Sequence, residues 1–114
     1  MLRWLKGEAR RVYTTEIAHY CARAGEDVPR LSIGAPRSRW GSCSSRGTIS
    51  LSWRLIMAPA HVRRSVIAHE VAHIRHMDHS RNFYDWLDTI YEGDRKAADR
   101  WLKMHGTGLQ RVGR

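Results

Sequence analysis

Residues 69–79, which read His-Glu-Val-Ala-His-Ile-Arg-His-Met-Asp-His, constrain this chain more than any other segment. His69 and His73 are four residues apart, so on a helix their side chains project from one face, a turn apart. Glu70 follows the first histidine, and His79 adds a third nitrogen donor after residues that can turn the chain. Two imidazoles, a glutamate and a further nitrogen are the groups that a hydrolytic zinc site requires. The segment therefore predicts a helix that holds two ligands of a metal ion.

A helix over about residues 59–76 is predicted to contain the first two histidines. Pro59 suits its first turn, because the missing proline N–H would be unpaired there anyway. Apolar residues occupy two faces of this helix and leave only a modest outward stripe, which is typical of a buried helix. These apolar positions are Val62, Val66, Ile67, Val71 and Ile74. The histidine pair is therefore expected inside the molecule or at the floor of a cleft.

The segments before this helix predict one long helix and three short strands in a single domain. Apolar positions three and four apart predict a helix over residues 2–24, with Gly25 as its C-terminal stop. A short strand is expected over residues 28–33. An extended segment over residues 39–43 and an alternating one over residues 48–53 predict a hairpin with one buried face.

Two more helices are predicted after the histidine motif. Ser80 is a suitable N-cap for the first of them. The second is predicted to end at Gly106. A single domain would then span residues 1–106, and residues 107–114 are expected to form a flexible basic tail.

The composition favours a soluble, cytoplasmic protein with a basic surface. The net charge of +9 comes from 20 basic and 11 acidic residues and favours contact with polyanions such as nucleic acid. The alternative is a solvated basic surface that binds nothing in particular, because the basic residues are spread along the chain. No apolar run is long enough to span a membrane, and no signal peptide is expected. Cys21 and Cys43 are expected to be free thiols in a reducing compartment.

The motif predicts a hydrolytic rather than a structural metal site. Zinc prefers tetrahedral coordination, so His69, His73 and a third protein ligand would leave one position for water. The ion would lower the pKa of that water to roughly 7. Glu70 is placed to accept the proton as general base and to return it to a leaving amine.

The third ligand has two candidates. His79 lies six residues after His73, the interval of a long zinc signature, although that signature has a glycine midway where this chain has His76. The rival is Glu92, whose distance from His73 fits zinc proteases with a distal glutamate ligand. His79 is favoured, because Glu92 lies beside a glycine at a predicted helix end, where a solvated carboxylate is expected. His76 could contact substrate or only contribute to a polar rim.

Zinc-bound histidines usually donate their free N–H to a partner. Asp78, Asp85 and Asp88 are candidates for this role. For each of them the alternative is an ordinary surface acid.

An ordered series of motifs extends over nearly the whole chain. The series is Arg39-Trp40-Gly41-Ser42-Cys43-Ser44-Ser45, Ile49-x-Leu51-x-Trp53-Arg54-Leu55, Ala58-Pro59, His69-Glu70-x-x-His73 and His76-x-x-His79-Ser80-x-x-Phe83. In this order the motifs resemble the YgjP-like metallopeptidase domain, a family related to SprT-like and WLM-type zincin proteases. The series is far more specific than the zinc motif alone.

The resemblance implies a compact zincin-like α+β fold. Its expected parts are an N-terminal helix, a small antiparallel β-sheet and a buried His-Glu-x-x-His helix, followed by two C-terminal helices. The resemblance also implies zinc ligands at His69, His73 and His79, with Glu70 as the catalytic base. Tyr84 stands where relatives usually have tryptophan, a change that touches no ligand.

The same resemblance singles out Arg39, Trp40 and Gly41. A cationic Arg39 near the zinc could bind a substrate carbonyl or phosphate. The alternative is that these residues anchor the hairpin. That structural role is favoured for Trp40, as a buried ring, and for Gly41, as a bulge.

Three functions compete at this point. The first is a zinc-dependent metallopeptidase that hydrolyses peptide bonds by Glu70-assisted attack of zinc-bound water, with DNA-bound proteins as possible substrates. The second is a metal-dependent phosphohydrolase acting on nucleotides, although such enzymes usually use magnesium held by oxygen ligands. The third is a basic nucleic-acid-binding module with a structural zinc. Glu70 and the open coordination position argue against it.

Overall fold

The computed structural model describes residues 2–112 of the chain. Its first element is helix α1 (Leu2–Ala24), which buries one face against the rest of the protein. Gly25 ends this helix with a φ of 71°, a left-handed conformation that glycine adopts without a Cβ clash. The Glu26 N–H then donates to the Cys21 carbonyl at 2.9 Å. The predicted helix and its stop are confirmed.

Three short strands form one mixed sheet. They are β1 (Arg30–Gly34), β2 (Gly41–Cys43) and β3 (Thr48–Ser52), in the order β1-β3-β2, so that β2 lies at an edge. The β2–β3 hairpin is antiparallel, as predicted, whereas β1 pairs with β3 in parallel. The sheet is thus not antiparallel throughout. The reason is that the chain leaves β1, forms β2 at the far edge and turns back, so β3 runs in the direction of β1.

A single turn of 3₁₀-helix (Trp53–Met57) follows β3 directly. The Ser52 hydroxyl caps it by accepting the Arg54 N–H at 3.2 Å. Trp53, which the alternating pattern placed in the strand, is buried in this turn instead. The Tyr13 hydroxyl donates to the Ser52 carbonyl at 2.8 Å and so ties α1 to the end of β3.

Helix α2 (Ala60–Arg75) lies at the centre of the molecule and matches the predicted helix to within a residue at each end. It packs against α1, β2 and the two helices that follow. Pro59 precedes its first turn, as predicted. The buried positions of α2 include Glu70 and His73 beside Val62, Ile67 and Val71, while the other two expected apolar residues, Val66 and Ile74, are half-buried. The histidine motif therefore faces the interior.

Helices α3 (Arg81–Ile90) and α4 (Arg95–Gln110) complete the fold. The Ser80 hydroxyl accepts the Phe83 N–H at 3.4 Å, which confirms the predicted N-cap of α3. At the start of α4, one carboxylate oxygen of Asp94 accepts the N–H groups of the second and third helical residues, both at 3.1 Å.

The predicted end of the last helix at Gly106 is wrong. Helix α4 continues to Gln110, whose side chain is buried. Gly106 is needed in the helix because a Cβ there would lie 3.3 Å from Cζ2 of Trp40. Residues 107–110 therefore belong to the packed helix and not to a flexible tail, while residues 113–114 lie outside the described part of the chain.

Two further expectations concern the thiols and the membrane. Cys21 is buried, Cys43 is half-buried, and both are free, as predicted. No helix within residues 2–112 is long and apolar enough to cross a membrane.

Candidate metal centre

The Nε2 atoms of His69, His73 and His79 converge on one point. The distances between them are 3.2 Å for His69–His73, 3.1 Å for His73–His79 and 3.2 Å for His69–His79. A tetrahedral zinc ion with Zn–N bonds of about 2.0–2.1 Å separates its nitrogen ligands by about 3.3 Å. Within residues 2–112, this trio is the one group of three or more potential ligand side chains close enough to share an ion.

Secondary structure explains why the three rings meet. Helix α2 presents His69 and His73 one turn apart on the same face, as their spacing requires. The chain then leaves the helix at His76 and turns back before Ser80 starts α3. His79 lies in this loop, so its ring reaches the first two from the side.

The hydrogen bond of His73 fixes which of its ring nitrogens faces the trio. Its Nδ1 lies 2.8 Å from the His76 carbonyl oxygen, so the Nδ1–H donates and Nε2 keeps its lone pair. The His76 carbonyl is free to accept because the backbone there is extended, with a φ of −126° and a ψ of 105°. The N–H partner of this ring is therefore a backbone carbonyl.

The three aspartates proposed for that role lie elsewhere. Asp78 accepts the Ser80 N–H at 3.3 Å. Asp85 lies 3.8 Å from Arg81, and Asp88 accepts from Arg95 at 2.7 Å. None of the three has a hydrogen bond to a histidine of the trio within the described residues, which agrees with the favoured alternative of an ordinary surface acid. Spacing on a helix gave no information about the loop carbonyl that takes their place.

The electrostatics of the trio suit a cation. Burial, together with the neighbouring His73 and His79, lowers the pKa of His69 to about 4. Burial also lowers the pKa of His73. Both rings are therefore neutral near pH 7, the form in which imidazole binds metal. Three imidazole nitrogens this close repel one another through their lone pairs, and a shared cation removes that repulsion.

Phe83 forms the apolar floor of the trio. Its ring is fully buried and stacks on His73, with centroids 4.3 Å apart and planes inclined by 23°. It meets His69 and His79 edge to face, at centroid distances of 4.9 Å and 5.3 Å. A floor of this kind keeps water and competing donors from the lower side of the three rings.

Glu70 lies beside the trio and has no positively charged partner among the described residues. Its side chain is 5% exposed, and burial raises its pKa to about 7. It has no hydrogen bond or ion pair to any other residue that the structure describes. A buried carboxyl of this kind can exchange a proton near neutral pH.

Gly41 fits β2 closely against Glu70. A Cβ at Gly41 would lie 3.1 Å from Cγ and 3.2 Å from Oε2 of Glu70, and 3.0 Å from Cδ2 of Leu51. The glycine is therefore required by the approach of strand to carboxylate, and it lies in a regular strand pair rather than in the expected bulge.

A cleft of about 260 Å³ opens beside His69 and Glu70. Arg39 lines it, which agrees with its expected position near the motif, and Asp99 of α4 adds a carboxylate. Trp40 forms part of the wall. Asp99 was not identified from the sequence, because only the packing of α4 brings it to the cleft.

The rival third ligand is distant from the trio. Glu92 accepts the Tyr20 hydroxyl at 2.8 Å and lines a separate pocket with His19 and Arg64. Glu92 is absent from the described group of potential metal ligands, which contains His79.

The sequence agrees with one known family over most of its length. The model of the YgjP-like metallopeptidase domain matches residues 1–105. The chain belongs to this family. It is therefore a metallopeptidase by family membership, and the resemblance of its motifs is confirmed.

The fold of this YgjP-like protein is also similar to a solved structure. The crystal structure of the metallopeptidase zymogen of Pyrococcus abyssi abylysin superposes with a TM-score of 0.71. The two chains are 21% identical, and the match covers 81% of this chain and 93% of that one. At this identity the likeness supports the α+β fold. No curated protein matches the chain.

Two residues at the centre of this YgjP-like site were assigned too simple a role from the sequence. From the sequence, Phe83 was only the last residue of the motif series, and Gly41 was an expected bulge. A usable signal existed for Phe83, since it follows His79 by one helical turn. For Gly41 there was none, because its contact with Glu70 depends on how β2 packs on α2.

Proposed function

We propose that this protein is a zinc-dependent peptidase in which His69, His73 and His79 bind the ion and Glu70 is the general base. The observation that supports this most is the convergence of three imidazole nitrogens, 3.1–3.2 Å apart, beside a buried carboxylate. Three nitrogen donors favour zinc over magnesium or calcium, which prefer oxygen.

The residues around the ion divide the chemistry among them. When bound, zinc supplies a Lewis acid that polarises the peptide carbonyl and lowers the pKa of water to about 7. Glu70 accepts the proton of the attacking water on a carboxylate oxygen and delivers it to the leaving amine. Phe83 and the His76 carbonyl hold the ring of His73 in place.

The substrate is proposed to bind as an extended strand along β2. This strand lies at the edge of the sheet and passes Glu70 at Gly41. A peptide can add to such an edge through backbone hydrogen bonds. Arg39 lines the cleft and is proposed to bind a substrate carbonyl. For His76, the bond from its carbonyl to His73 supports a positioning role rather than contact with substrate.

The charge and the thiols extend the proposal. A net charge of +9 favours substrates that are acidic or bound to nucleic acid. Two free thiols favour a reducing compartment, and we place the protein in the cytoplasm on this basis.

A test compares peptides with nucleotides as substrates. The zinc-loaded protein is incubated with a peptide library and with nucleoside triphosphates, before and after chelation. We expect peptide cleavage that stops on chelation and returns with zinc, and no release of phosphate. Phosphate release with intact peptides would instead support the phosphohydrolase. Bound zinc with neither activity would support the structural module.

A further inference from the structure

A second chamber of about 430 Å³ adjoins the cleft beside Glu70. Ser38, Trp40 and Leu102 line both cavities, so the two share a wall. The side chain of Trp40 therefore borders both the cleft and the chamber.

The two cavities differ in charge. The cleft is lined by the carboxyl groups of Glu70 and Asp99 as well as by Arg39. Arg111 contributes a guanidinium group to the lining of the chamber, and among residues 2–112 that lining has no acidic residue. Of the two adjoining cavities, the chamber is therefore the one that suits an anion.

Neutral polar groups add hydrogen-bond capacity to the chamber. Gln110 is 7% exposed, and neither its amide nitrogen nor its amide oxygen has a partner among the described residues. A buried amide without a partner costs folding free energy, and a ligand that accepts its N–H would recover part of that cost. The hydroxyls of Ser38 and Thr107 also line this space.

Packing holds the shared wall in position. The ring of Trp40 lies against Gly106, where a Cβ would come within 3.3 Å of Cζ2. Because α4 continues past this glycine to Gln110, its last turns bring Gln110 and Arg111 to the chamber. The wall and the polar groups thus depend on the same helix.

We propose that this chamber is a specificity subsite that binds a carboxylate of the peptide substrate, through Arg111 and Gln110. The inference rests on the proposed peptidase function, since it assigns the substrate of the same cleft. The carboxylate can come from an acidic side chain or from the C-terminus of the peptide. Charge-assisted hydrogen bonds from guanidinium groups are the strong and geometrically specific way to bind it.

The test measures binding apart from turnover. Fluorescently labelled peptides are titrated against the zinc-loaded Glu70→Gln variant, which retains the proposed ligands. The reference peptide is neutral and blocked at its C-terminus, the second peptide has Glu in place of Gln, and the third has a free C-terminus. We expect the second or third peptide to bind about tenfold more tightly than the reference, and this preference to weaken at high salt.

Single substitutions test which residue is responsible for the tighter binding of carboxylate-containing peptides. In the Glu70→Gln background, Arg111→Gln should reduce the preference to about one, while Arg10→Gln, which changes an exposed arginine of α1 and removes the same charge, should retain it. Which of the two peptides binds tightly identifies the source of the carboxylate. Equal binding of all three peptides, or a preference unchanged by Arg111→Gln, would overturn the subsite.

Peptide cleavage by the wild-type protein tests the proposed subsite separately from the proposed peptidase activity. Cleavage of the neutral peptide without any preference for a carboxylate would leave the peptidase intact and remove the subsite. A preference in binding without cleavage of any peptide would retain the carboxylate-binding chamber and remove the peptidase.

Discussion

Glu16 and Glu70 are both buried glutamates, but only Glu16 has positively charged partners among the described residues. Glu16 on α1 is 8% exposed and accepts from Arg63 at 2.7 Å and 2.8 Å and from Arg64 at 3.0 Å. Glu70 on α2 is 5% exposed and has neither a hydrogen bond nor an ion pair within residues 2–112. Residue type and burial are therefore the same, and the partners differ.

This difference separates a structural carboxylate from one that is available for chemistry. The arginines around Glu16 join α1 to α2 and hold that carboxylate in ion pairs. An unpaired buried carboxylate such as Glu70 lowers the stability of the fold. Glu70 lines a cleft next to three converging histidines. The carboxylate that lowers folding stability therefore lies where a proton acceptor can take part in hydrolysis.

The largest effect is expected from removing the charge of Glu70. In the Glu70→Gln variant, hydrolysis of a peptide substrate should fall about 10³-fold, because general acid–base catalysis is lost. Zinc content, measured by atomic absorption, should stay at the wild-type level. The matched variant Glu16→Gln should retain kcat/KM per folded molecule. Equal losses of activity in both variants would contradict the assignment of a catalytic role to Glu70 and a structural role to Glu16.

The free energy of unfolding should fall in the Glu16→Gln variant and not in the Glu70→Gln variant. Glu16→Gln removes one partner of a buried ion pair and leaves the guanidinium of Arg63 without a charge partner, which should lower the free energy of unfolding by about 3 kcal/mol. Urea denaturation monitored by circular dichroism measures this change. A Glu16→Gln variant as stable as the wild type would show that the ion pair contributes nothing to the packing of α1 on α2.

In the metal-free protein, the pH dependence of the free energy of unfolding should show how much the buried Glu70 carboxylate destabilises the fold. The pKa of this carboxyl is about 7 when folded and 4.5 ordinarily. Between these values the folded protein keeps a proton that the unfolded chain releases, so the contribution of Glu70 to stability falls as the pH rises. Metal-free Glu70→Gln should therefore be more stable than the wild type by about 2–3 kcal/mol near pH 8.

The two proteins should converge in stability as the pH falls towards 4.5. The lowered pKa of His69 acts with the opposite sign, but it is common to both proteins and cancels in the difference. Urea titrations across this pH range test the prediction. A difference that is constant with pH would mean that Glu70 is not the group responsible.

A smaller effect is expected from the strand that packs on Glu70. Gly41→Ala adds a methyl group 3.1–3.2 Å from the Glu70 side chain. Displacement of the carboxylate should lower kcat/KM about tenfold, equivalent to about 1.4 kcal/mol. Gly34→Ala is the control, because a Cβ at that position in β1 meets nothing within 4 Å. If both variants lose activity equally, the effect comes from strand flexibility and not from the contact.

The sequence allowed the prediction of elements whose signals are local. Periodicity and the turn at Gly25 predicted α1, and the cap at Ser80 predicted the start of α3. The end of α4 was not predictable, because Gly106 and Gly108 are poor helix formers and the packing of Gly106 against Trp40 is not visible in the sequence. The parallel pairing of β1 was equally inaccessible, since it depends on a crossover and not on the composition of the strand.

The same limit applies to the site. Helical spacing and the interval to His79 led to the prediction of three histidines, and their role as ligands stays a prediction. The groups that surround them were not visible in the sequence. The His76 carbonyl and the approach of Gly41 both depend on how one backbone segment lies against another. Arg37 and Arg111 become neighbours of the same chamber only because α4 is longer than its glycines suggest.

X-ray absorption of the zinc-loaded protein tests the central assignment most directly. We predict one zinc per chain, with three imidazole nitrogens at about 2.0–2.1 Å and one oxygen from solvent. The His79→Ala variant should lose one of the nitrogen ligands and bind zinc more weakly. A sulfur ligand, a fourth ligand from the protein, or unchanged coordination in His79→Ala would contradict the assignment.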